Sequence, residues 1–548
     1  METGKAISIL VLIAVLQYVR AFPDSDAISS LPDYGPPPTR QWSGFLNGKG
    51  TQVAPGCAST EAECQLHYWF AEADHEPAKK PVVLWLNGGP GSSSILGMLQ
   101  EQGPLIINST GGLMRNPYAW TTLVNLLILE SPTGVGYSYC STQKAGGVCN
   151  NTDKLTAATA RAAVVDFFET KFPELKTAPF YITGESYAGV YVPTLAKELL
   201  DNAKGSLNFK GLAVGDPCTD NTAQKDSMDM LWYAHKNGFV PDQDFDLLWN
   251  KCKARYPSFI GQGRWQRQGS TMTKPKPSLS LQDPACVVAQ RKFLASTSNG
   301  ISQSWGDAWI NDLTLYGPSA LVSFDTPGSL NYLTAAYMMR ADVQVALHVD
   351  LAPSKTWPNV QQGFSYVSQY DACNGNVMPG TPSMIDFYRE IAPQLEQTIV
   401  FNGDTDPCVS YEGTRTAISR VGYVELDGGS YRPWFFEHSA ATVEFLKQKP
   451  LLFGPDLALI DAGVQFGGHI VNYDKNLSFV TVHGSGHMVP QFRPQAALHL
   501  LRKLVSGEPF SPRYMSNASI ASATDDQYSA ELSRWTEAAK SAPYSSFP

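Results

Sequence analysis

Six short apolar runs recur along the chain, and each ends in residues that favour a turn. They are residues 81–89, 125–132, 180–186, 209–217, 397–406 and 478–487. Between them, residues 156–172 and 192–203 show the periodicity of amphipathic helices, the second entered through Pro193. Short strands that alternate with helices are typical of a mostly parallel sheet with helices on both faces. The pattern therefore predicts an α/β fold.

The alternation of strands and helices stops between about residues 220 and 329. This segment is rich in charged residues, Gln, Ser and Pro, and it has no strong strand pattern. We expect an inserted cap or lid, part helix and part loop, that separates a first core part, 22–219, from a second, 330–505. Residues 506–548 form a polar tail with a helical pattern near 530–540.

The start of the chain has the features of a secretory signal. Lys5 precedes an apolar run at residues 6–16, and Val19 and Ala21 follow at the small-residue spacing of a signal-peptidase site. The run is too short to span a bilayer, and no later segment is apolar enough to do so, so no membrane partner is expected. We predict a cleaved signal at residues 1–21 and a protein of the secretory pathway, either extracellular or vacuolar/lysosomal.

Glycosylation motifs and cysteines agree with this route. The nine cysteines predict disulfides in an oxidising compartment, with at least one thiol left over. Four motifs for N-glycosylation lie at Asn108, Asn150, Asn476 and Asn517. Sequence proximity favours the pairs Cys57–Cys64, Cys140–Cys149 and Cys252–Cys286, and it leaves the pairing of Cys218, Cys373 and Cys408 open.

Composition narrows the classes of function. The 548 residues are 43% hydrophobic and 17% charged, enough for a large core. The net charge is −9, and no run of Lys and Arg alternates with aromatic residues, which argues against a nucleic-acid partner. Neither a C-x-x-C nor an H-E-x-x-H spacing occurs, so we expect no metal site and no other cofactor.

A serine lies at the end of one predicted strand, in the sequence GESYAG. The small residues Gly184, Ala188 and Gly189 allow a tight turn that would expose Ser186 as a nucleophile. A serine hydroxyl needs a base and an orienting acid to become reactive. By itself the motif is equally compatible with a strand-to-helix cap.

The missing partners follow two later strands. Asp404 and Asp406 come after TIVFNG, and His487 lies in the turn GSGHMVP, which gives the order Ser, Asp, His of an α/β-hydrolase. Spacing alone does not choose between the two acids. His483, on the strand side of the same turn, is expected to be a packed structural residue.

A glycine-rich turn at the end of another strand, WLNGGPGSSS, supplies backbone N–H groups. One of these, together with the N–H of Tyr187, could hold the oxyanion of a tetrahedral intermediate. A tight turn explains the glycines and Pro90, but it does not explain Asn87 beside them.

Five motifs in this order resemble those of the serine carboxypeptidases, the family of carboxypeptidase Y and cathepsin A. They are WLNGGPGSSS, ESPTGVGYSY, ITGESYAGVYVP, FNGDTDP and GSGHMVPQFRP. The similarity runs from about Gln41 to Val505 and is weakest through the inserted segment. It implies an α/β-hydrolase fold with an inserted cap.

The resemblance implies roles for single residues. Ser186 would be the nucleophile, His487 the base and Asp406 the orienting carboxylate, whereas Asp404 would be structural. The oxyanion hole would consist of the amides of Gly89 and Tyr187.

The family also binds the carboxylate at the C-terminus of its substrate. The resemblance gives this role to Asn87, the Gly88 amide and Glu185, with Glu101 paired to Glu185. One carboxyl group binds another only if one of them is protonated, and crowding raises the pKa of such a pair. We therefore expect a serine-type carboxypeptidase that works best at acidic pH on peptides or proteins with a free C-terminus.

Departures from the family leave some features open. Ser92 stands where the family usually has a cysteine that bridges to a position resembling Cys373, so Cys373 would pair elsewhere, for example with Cys218, or stay reduced. Val409 occupies the position of a family cysteine, and Cys408 lies one residue earlier. Alternatives to a carboxypeptidase are an acyltransferase with the same triad and a protective or scaffolding partner of other hydrolases. A homodimer is compatible with the sequence.

Overall fold

The computed structural model describes residues 23–256, 266–268, 271–273, 283–297, 329–358, 364–373, 378–438 and 462–541. The predicted signal at 1–21 lies outside these residues. No helix within the described ranges has both the length and the apolar character needed to cross a membrane.

The strands of the described residues are numbered β1 to β17. They are β1 (Gln41–Asn47), β2 (Cys64–Ala71), β3 (Val82–Leu86), β4 (Leu105–Ile107), β5 (Leu113–Arg115), β6 (Asn125–Leu129), β7 (Tyr139–Cys140), β8 (Cys149–Thr152), β9 (Pro179–Glu185), β10 (Asn208–Gly215), β11 (Gln266–Gln268), β12 (Thr271–Thr273), β13 (Phe364–Val367), β14 (Gln397–Gly403), β15 (Arg432–His438), β16 (Gly463–Asn472) and β17 (Leu477–Val482).

The α-helices of the described residues are numbered in the same way. They are α1 (Ile95–Gln100), α2 (Ser141–Lys144), α3 (Asp153–Asp166), α4 (Ala188–Asn202), α5 (Asn221–Gln224), α6 (Met230–Lys236), α7 (Asp242–Asp246), α8 (Pro284–Thr297), α9 (Leu330–Met338), α10 (Ala341–Ala346), α11 (Met384–Ile391), α12 (Tyr411–Ser419), α13 (Val489–Phe492), α14 (Pro494–Ser506), α15 (Asn517–Ser522) and α16 (Asp525–Lys540). The π-helical turns Phe167–Lys171 and Leu247–Lys251 extend α3 and α7.

One large sheet forms the centre of the molecule. Its strand order is β1-β2-β6-β3-β9-β10-β14-β17-β16-β15, with β7 paired to β2. The six central strands, β6 to β17 in that order, run parallel, and the flanking strands are antiparallel. These six are the apolar runs of the sequence, so the prediction of a mostly parallel sheet is confirmed.

Side chains alternate between two cores along each central strand, because successive residues of a strand point to opposite faces. On β3, Leu84 packs into one cluster with residues of α3, α4 and α11, whereas Trp85 packs into the other with residues of α1, α9 and α14. Both faces are therefore covered by helices, which is why the central strands carry continuous apolar runs.

The helix after the serine begins earlier than the sequence pattern predicts. α4 starts at Ala188, so Pro193 lies inside it rather than at its entrance. The chain turns directly from β9 into the helix at Ser186. This turn depends on contacts with a neighbouring loop, so helical periodicity in the sequence does not predict it. The tail likewise contains a longer helix, α16, than the predicted 530–540.

The flanking strands were not predicted. β1, β2, β15 and β16 lie outside the six apolar runs, and β16 has an alternating, half-exposed burial pattern with glycine at several positions. The partly exposed β16 therefore gives a weak sequence signal, whereas β1 and β2 are buried along most of their length.

The described part of the inserted segment is mainly helical. Helices α6 and α8 share a small apolar core, which includes Leu231 and Phe293, and the Cys252–Cys286 disulfide ties the segment together. Tyr233 of α6 donates a hydrogen bond to the carbonyl oxygen of Thr405 at 2.8 Å. This contact links the segment to the loop after β14.

Four disulfides lie in the described residues. The three predicted pairs are formed, and Cys218 pairs with Cys373. Cys408 is a buried thiol outside these disulfides.

Candidate active site

Ser186 occupies a strained turn between β9 and α4. Its φ of 66° lies in the left-handed region, which is costly for a residue other than glycine and is typical of a nucleophile held clear of a sheet. The turn is fixed from both sides: the Ser186 N–H donates to the oxygen of Gly215 at 2.9 Å, and its carbonyl oxygen accepts from the N–H of Cys218 at 3.0 Å.

Small side chains make this turn possible. A Cβ on Gly184 would lie 2.7 Å from the Cβ of Ala188, and one on Gly189 would lie 2.4 Å from the carbonyl oxygen of Cys218. Contacts this short are closed to any larger residue, so the spacing of small residues in GESYAG follows from the close approach of strand, helix and loop.

Asp406 and His487 form a buried hydrogen-bonded pair. The Oδ2 of Asp406 lies 2.7 Å from the Nδ1 of His487, and the two residues are 1% and 2% exposed. Backbone N–H groups of Cys408 and Val409 donate to the two oxygens of Asp406 at 2.8 and 3.1 Å. The carboxylate is thereby fixed and can hold the imidazole ring in one orientation.

A second acid–histidine pair lies on the neighbouring part of the same loops. The Oδ2 of Asp404 lies 2.7 Å from the Nδ1 of His483, and Asp404 also accepts from the N–H of Gly484 at 2.7 Å. The side chain of His483 is 59% exposed, so the expectation that it is packed was wrong. Its hydrogen bond with Asp404 raises its pKa from the usual value.

The glycine-rich turn after β3 lies directly against the serine turn. A Cβ on Gly88 would meet the backbone nitrogen of Tyr187 at 2.2 Å. The backbone N–H groups of Gly89 and Tyr187, which were predicted as the oxyanion hole, donate to no other described residue. Two N–H groups in this position are available to a ligand.

A buried acid that sequence reasoning missed anchors Tyr187. Asp153, at the start of α3, accepts hydrogen bonds from the hydroxyls of Tyr187 at 2.9 Å and Tyr366 at 2.7 Å. Burial raises the pKa of its carboxyl group. Asp153 and Tyr187 are 34 residues apart, and no local motif connects them.

Asn87 brings together the two predicted glutamates. Its Oδ1 accepts from the Nε1 of Trp85 at 2.8 Å and from the N–H of Gly97 at 3.1 Å. These donors fix the orientation of the amide, so its Nδ2 must point to the carboxyl groups: it lies 2.8 Å from Glu185 and 3.2 Å from Glu101. All three side chains are buried.

Burial raises the pKa of both glutamates. The pKa of Glu101 rises to about 7, and that of Glu185 rises well above its usual value, first through burial and then through the charge of Glu101. Two carboxyl groups this close cannot both be charged without a large cost. At acidic and neutral pH the pair therefore retains a proton, and Glu185 binds this proton more strongly than Glu101 does.

One further acid lies beside the Asp–His pair. Ligand-type atoms of Asp216, Asp406 and His487 all lie within 4.8 Å of one another. Asp216 follows β10 just as Ser186 follows β9, so its position at a strand end was a signal that the sequence offered.

The predicted glycosylation sites lie at or near the surface. Asn150, Asn476 and Asn517 are exposed, and Asn108 is partly buried. The Nδ2 of Asn476, where a glycan would attach, donates to the oxygen of Leu395 at 2.9 Å.

Comparisons with known proteins agree on one family. A family profile described as "Serine carboxypeptidase" matches residues 32–507. "Serine carboxypeptidase-like 20" of Arabidopsis thaliana is 28% identical over 537 residues, which cover 91% of this chain and 96% of that protein. The "Lysosomal protective protein" of Mus musculus is also 28% identical over 537 residues, covering 92% of this chain and 100% of that one.

A solved structure has the same fold. The crystal structure of Kex1(delta)p, a prohormone-processing carboxypeptidase from Saccharomyces cerevisiae, superposes with a TM-score of 0.60 at 19% identity. The match covers 89% of this chain and 96% of the yeast chain.

Proposed function

The chain belongs to the serine carboxypeptidase family of hydrolases, and from this premise we propose that it removes single amino acids from the C-terminus of peptides and proteins through an acyl-enzyme. In this proposal Ser186 is the nucleophile, His487 the general base and Asp406 the residue that orients His487. The amides of Gly89 and Tyr187 form the oxyanion hole.

One observation carries the choice of an exopeptidase. Glu185, the residue directly before the nucleophile, is buried against Glu101 and hydrogen-bonded to Asn87. A protonated carboxyl group and an amide N–H are both donors, and together they can bind the carboxylate of a substrate's C-terminal residue. A helix cap would require neither the burial nor the second acid.

In the first half of the reaction, Ser186 Oγ attacks the carbonyl carbon of the last peptide bond while His487 takes its proton. The oxyanion that forms accepts hydrogen bonds from the N–H groups of Gly89 and Tyr187, a contribution of about 3–4 kcal/mol for a typical donor. His487 then gives the proton to the nitrogen of the leaving amino acid, and the carbonyl group remains bonded to Ser186 as an ester.

In the second half, a water molecule attacks the ester carbon and His487 takes one of its protons. Collapse of the tetrahedral intermediate breaks the bond to Ser186 Oγ, which recovers its proton from His487. The shortened peptide leaves with a new carboxylate, and the enzyme returns to its initial state.

The carboxyl pair makes substrate binding dependent on pH. At low pH, Glu185 and Glu101 together hold at least one proton that can be donated to the substrate's carboxylate. As pH rises through the raised pKa of Glu101, about 7, negative charge accumulates next to the binding site and repels the carboxylate. The affinity for free-acid substrates should therefore fall with rising pH.

We also propose that the enzyme belongs to the secretory pathway, either outside the cell or in a vacuole or lysosome. Support comes from the signal-like start and from the disulfides. Residues 220–329 would act as an inserted cap over the substrate, supported by the contact between Tyr233 and Thr405. We also propose that glycans are attached at Asn108, Asn150 and Asn517, and less readily at Asn476. A homodimer is part of the same proposal.

The test uses the purified mature protein and an N-blocked dipeptide, with and without a C-terminal amide, from about pH 4 to 8. We expect the free acid to be cleaved best at low pH, with a KM that rises with pH. The amide should lack this dependence, because it carries no carboxylate. Ser186→Ala should abolish cleavage of both.

Two results would count against the proposal. Equal cleavage of the free acid and the amide at every pH would show that Glu185 and Glu101 do not bind the carboxylate of the substrate. Acylation of Ser186 by activated esters without release of amino acids from any peptide would instead favour an acyltransferase, in which an alcohol replaces water in the second half of the reaction.

A further inference from the structure

Asp216 occupies the strand end between the nucleophile and its acid partner. β10 lies between β9, which leads to Ser186, and β14, which leads to Asp406. At the ends of these strands Gly215 is in register with Glu185 on one side and Phe401 on the other. Asp216 is the next residue, completely buried, and its φ of 45° turns the chain away from the sheet.

The hydrogen bonds of Asp216 distinguish its two oxygens. Oδ1 accepts from the Nδ2 of Asn402 at 2.9 Å and from the N–H of Gly403 at 3.0 Å. Oδ2 is also buried, yet it accepts no hydrogen bond from any described residue. A buried carboxylate oxygen without a donor is costly, whereas a protonated oxygen needs only an acceptor.

Asp406 is the neighbouring carboxylate, with an oxygen within 4.8 Å of an oxygen of Asp216. Its oxygens receive two backbone N–H groups and lie against the imidazole of His487, so both are already acceptors. The donors to Asp216 are two, both on Oδ1, and its Oδ2 has none. Two buried carboxyl groups within 4.8 Å of each other cannot both be ionised at moderate cost, so the proton belongs on Asp216.

We propose that Asp216 is a positioning residue of the triad: as a neutral carboxylic acid it donates a hydrogen bond from Oδ2 to the carboxylate of Asp406. This inference rests on the proposed roles of Asp406 and His487. The added donor fixes Asp406 from a side that its backbone partners do not cover. It also withdraws electron density from the Asp406 carboxylate and so weakens the hydrogen bond between Asp406 and His487.

The titratable groups facing Asp216 agree with this state. Asp406 and His487 lie on the loops after β14 and β17, and Glu185 lies at the end of β9. Burial, and then the charge of Asp406, raises the pKa of Asp216 well above its usual value, and Glu185 acts in the same direction. The carboxylates of Asp406 and Glu185, when charged, would be repelled by an ionised Asp216.

The test measures how fast a fluorophosphonate probe labels Ser186 at different pH values, which requires the triad but no knowledge of the substrate. The acid limb of this pH profile reports the protonation of His487. The variants are Asp216→Ala, which removes the donor, and Asp216→Asn, whose amide can accept at Oδ1 and donate at Nδ2. Asp229→Ala, which removes another buried acid from the inserted segment, is the control for a loss of stability.

We expect Asp216→Ala to slow labelling roughly tenfold to a hundredfold, the size of a lost charge-assisted hydrogen bond. Its acid limb should move to higher pH, because Asp406 without this donor binds the protonated imidazole more strongly. Asp216→Asn should recover the rate and return the acid limb to the wild-type position. Asp229→Ala should lower the melting temperature without moving the acid limb.

A shift of the acid limb to lower pH in Asp216→Asn, by about one unit or more, would overturn the proposal, since it would mean that a negative charge had been removed. If Asp216→Ala does not fold, infrared difference spectra of wild type minus Asp216→Asn decide the matter. A protonated-carboxyl band present only in the wild type supports the proposal, and a carboxylate band refutes it.

Two other outcomes of the labelling experiment can be distinguished from these. Loss of labelling with a chelator and its return with a divalent cation would make Asp216 an ionised metal ligand, which contradicts a proton there. Failure of the wild type to label at Ser186 would overturn the proposed triad itself, and with it this inference.

Discussion

At the scale of single residues, two acid–histidine pairs of equal length differ in their surroundings. Asp406 and His487 are buried, whereas His483 beside Asp404 is largely open to solvent, although both pairs measure 2.7 Å. A carboxylate excluded from water acts on its histidine more strongly than one that is screened. The buried pair is therefore suited to catalysis, and the exposed pair ties two loops together.

This contrast can be tested with a matched pair of variants. Asp406→Asn should lower kcat by roughly three to four orders of magnitude, because an amide no longer holds His487 in the tautomer that accepts the serine proton. Asp404→Asn should change kcat by less than about tenfold, since it affects an exposed pair. Steady-state hydrolysis of an activated ester measures both, and comparable losses in the two variants would contradict the assignment.

The sequence identified the residue types of the site but not their pairing. Spacing placed Asp404 and Asp406 at one strand end and two histidines at another, and only the resemblance to a family favoured Asp406. The distance between the partners is 81 positions along the chain, so no local pattern encodes it. Asp153 was missed for the same reason, because its partners are distant in sequence, whereas Asp216 stood at the end of a predicted strand and could have been found.

At the scale of elements, the Cys218–Cys373 disulfide supports the turn that holds Ser186, the proposed nucleophile. The backbone N–H of Cys218 donates to the carbonyl oxygen of Ser186 at 3.0 Å. The disulfide connects the loop of Cys218 with the segment after β13. Its two cysteines are 155 positions apart, compared with 7 for Cys57–Cys64. A longer loop loses more entropy in the unfolded chain when it is closed.

We therefore expect the double replacement of Cys218 and Cys373 by Ala to lower the free energy of unfolding by about 2–5 kcal/mol. The same change at Cys57 and Cys64 should cost less, because the loop it closes is short. Chemical denaturation measures the difference. The fluorophosphonate probe should also label Ser186 more slowly in the variant without Cys218 and Cys373, but not in the variant without Cys57 and Cys64. An equal effect of both variants on stability and labelling would show that Cys218 does not support the turn.

At the scale of the whole molecule, several buried acids make stability depend on pH. The pKa rises to about 7 for Glu101 and to about 6 for Asp229, in both cases through burial, and those of Glu185 and Asp216 rise well above their usual values. Between the usual values and these raised ones, the unfolded chain gives up protons that the folded chain retains. Stability therefore falls as pH rises through this window.

Thermal unfolding should accordingly show a higher melting temperature near pH 5 than near pH 8, with a loss of about 1.4 kcal/mol for each unit by which a buried pKa is raised. Glu101→Gln should reduce this slope, because it removes one of the titrating groups and the charge that it places beside Glu185. Replacing the exposed Glu537 by Gln serves as the control and should leave the slope unchanged. A melting temperature that rises from pH 5 to pH 8 in the wild type would contradict this sign.

The sequence by itself determined the parallel centre of the sheet and the residues at its strand ends. Strands buried on both faces must be apolar throughout, and the turns after them need glycine and small polar residues. Short stretches of sequence are therefore enough to predict both the strands and the turns. Family membership followed from five such stretches in order. The flanking antiparallel strands gave a weaker signal in the sequence.

Only the tertiary structure decided which of these residues act together. It paired Asp406 with His487, placed Glu101 against Glu185, joined Cys218 to Cys373 and brought Asp216 beside Asp406 and His487. Each of these relations joins side chains from different strand ends or loops. Hydrogen bonds and shifts in pKa act over a few ångströms in space, whereas sequence patterns record only neighbours along the chain, so these relations exist only once the sheet has assembled.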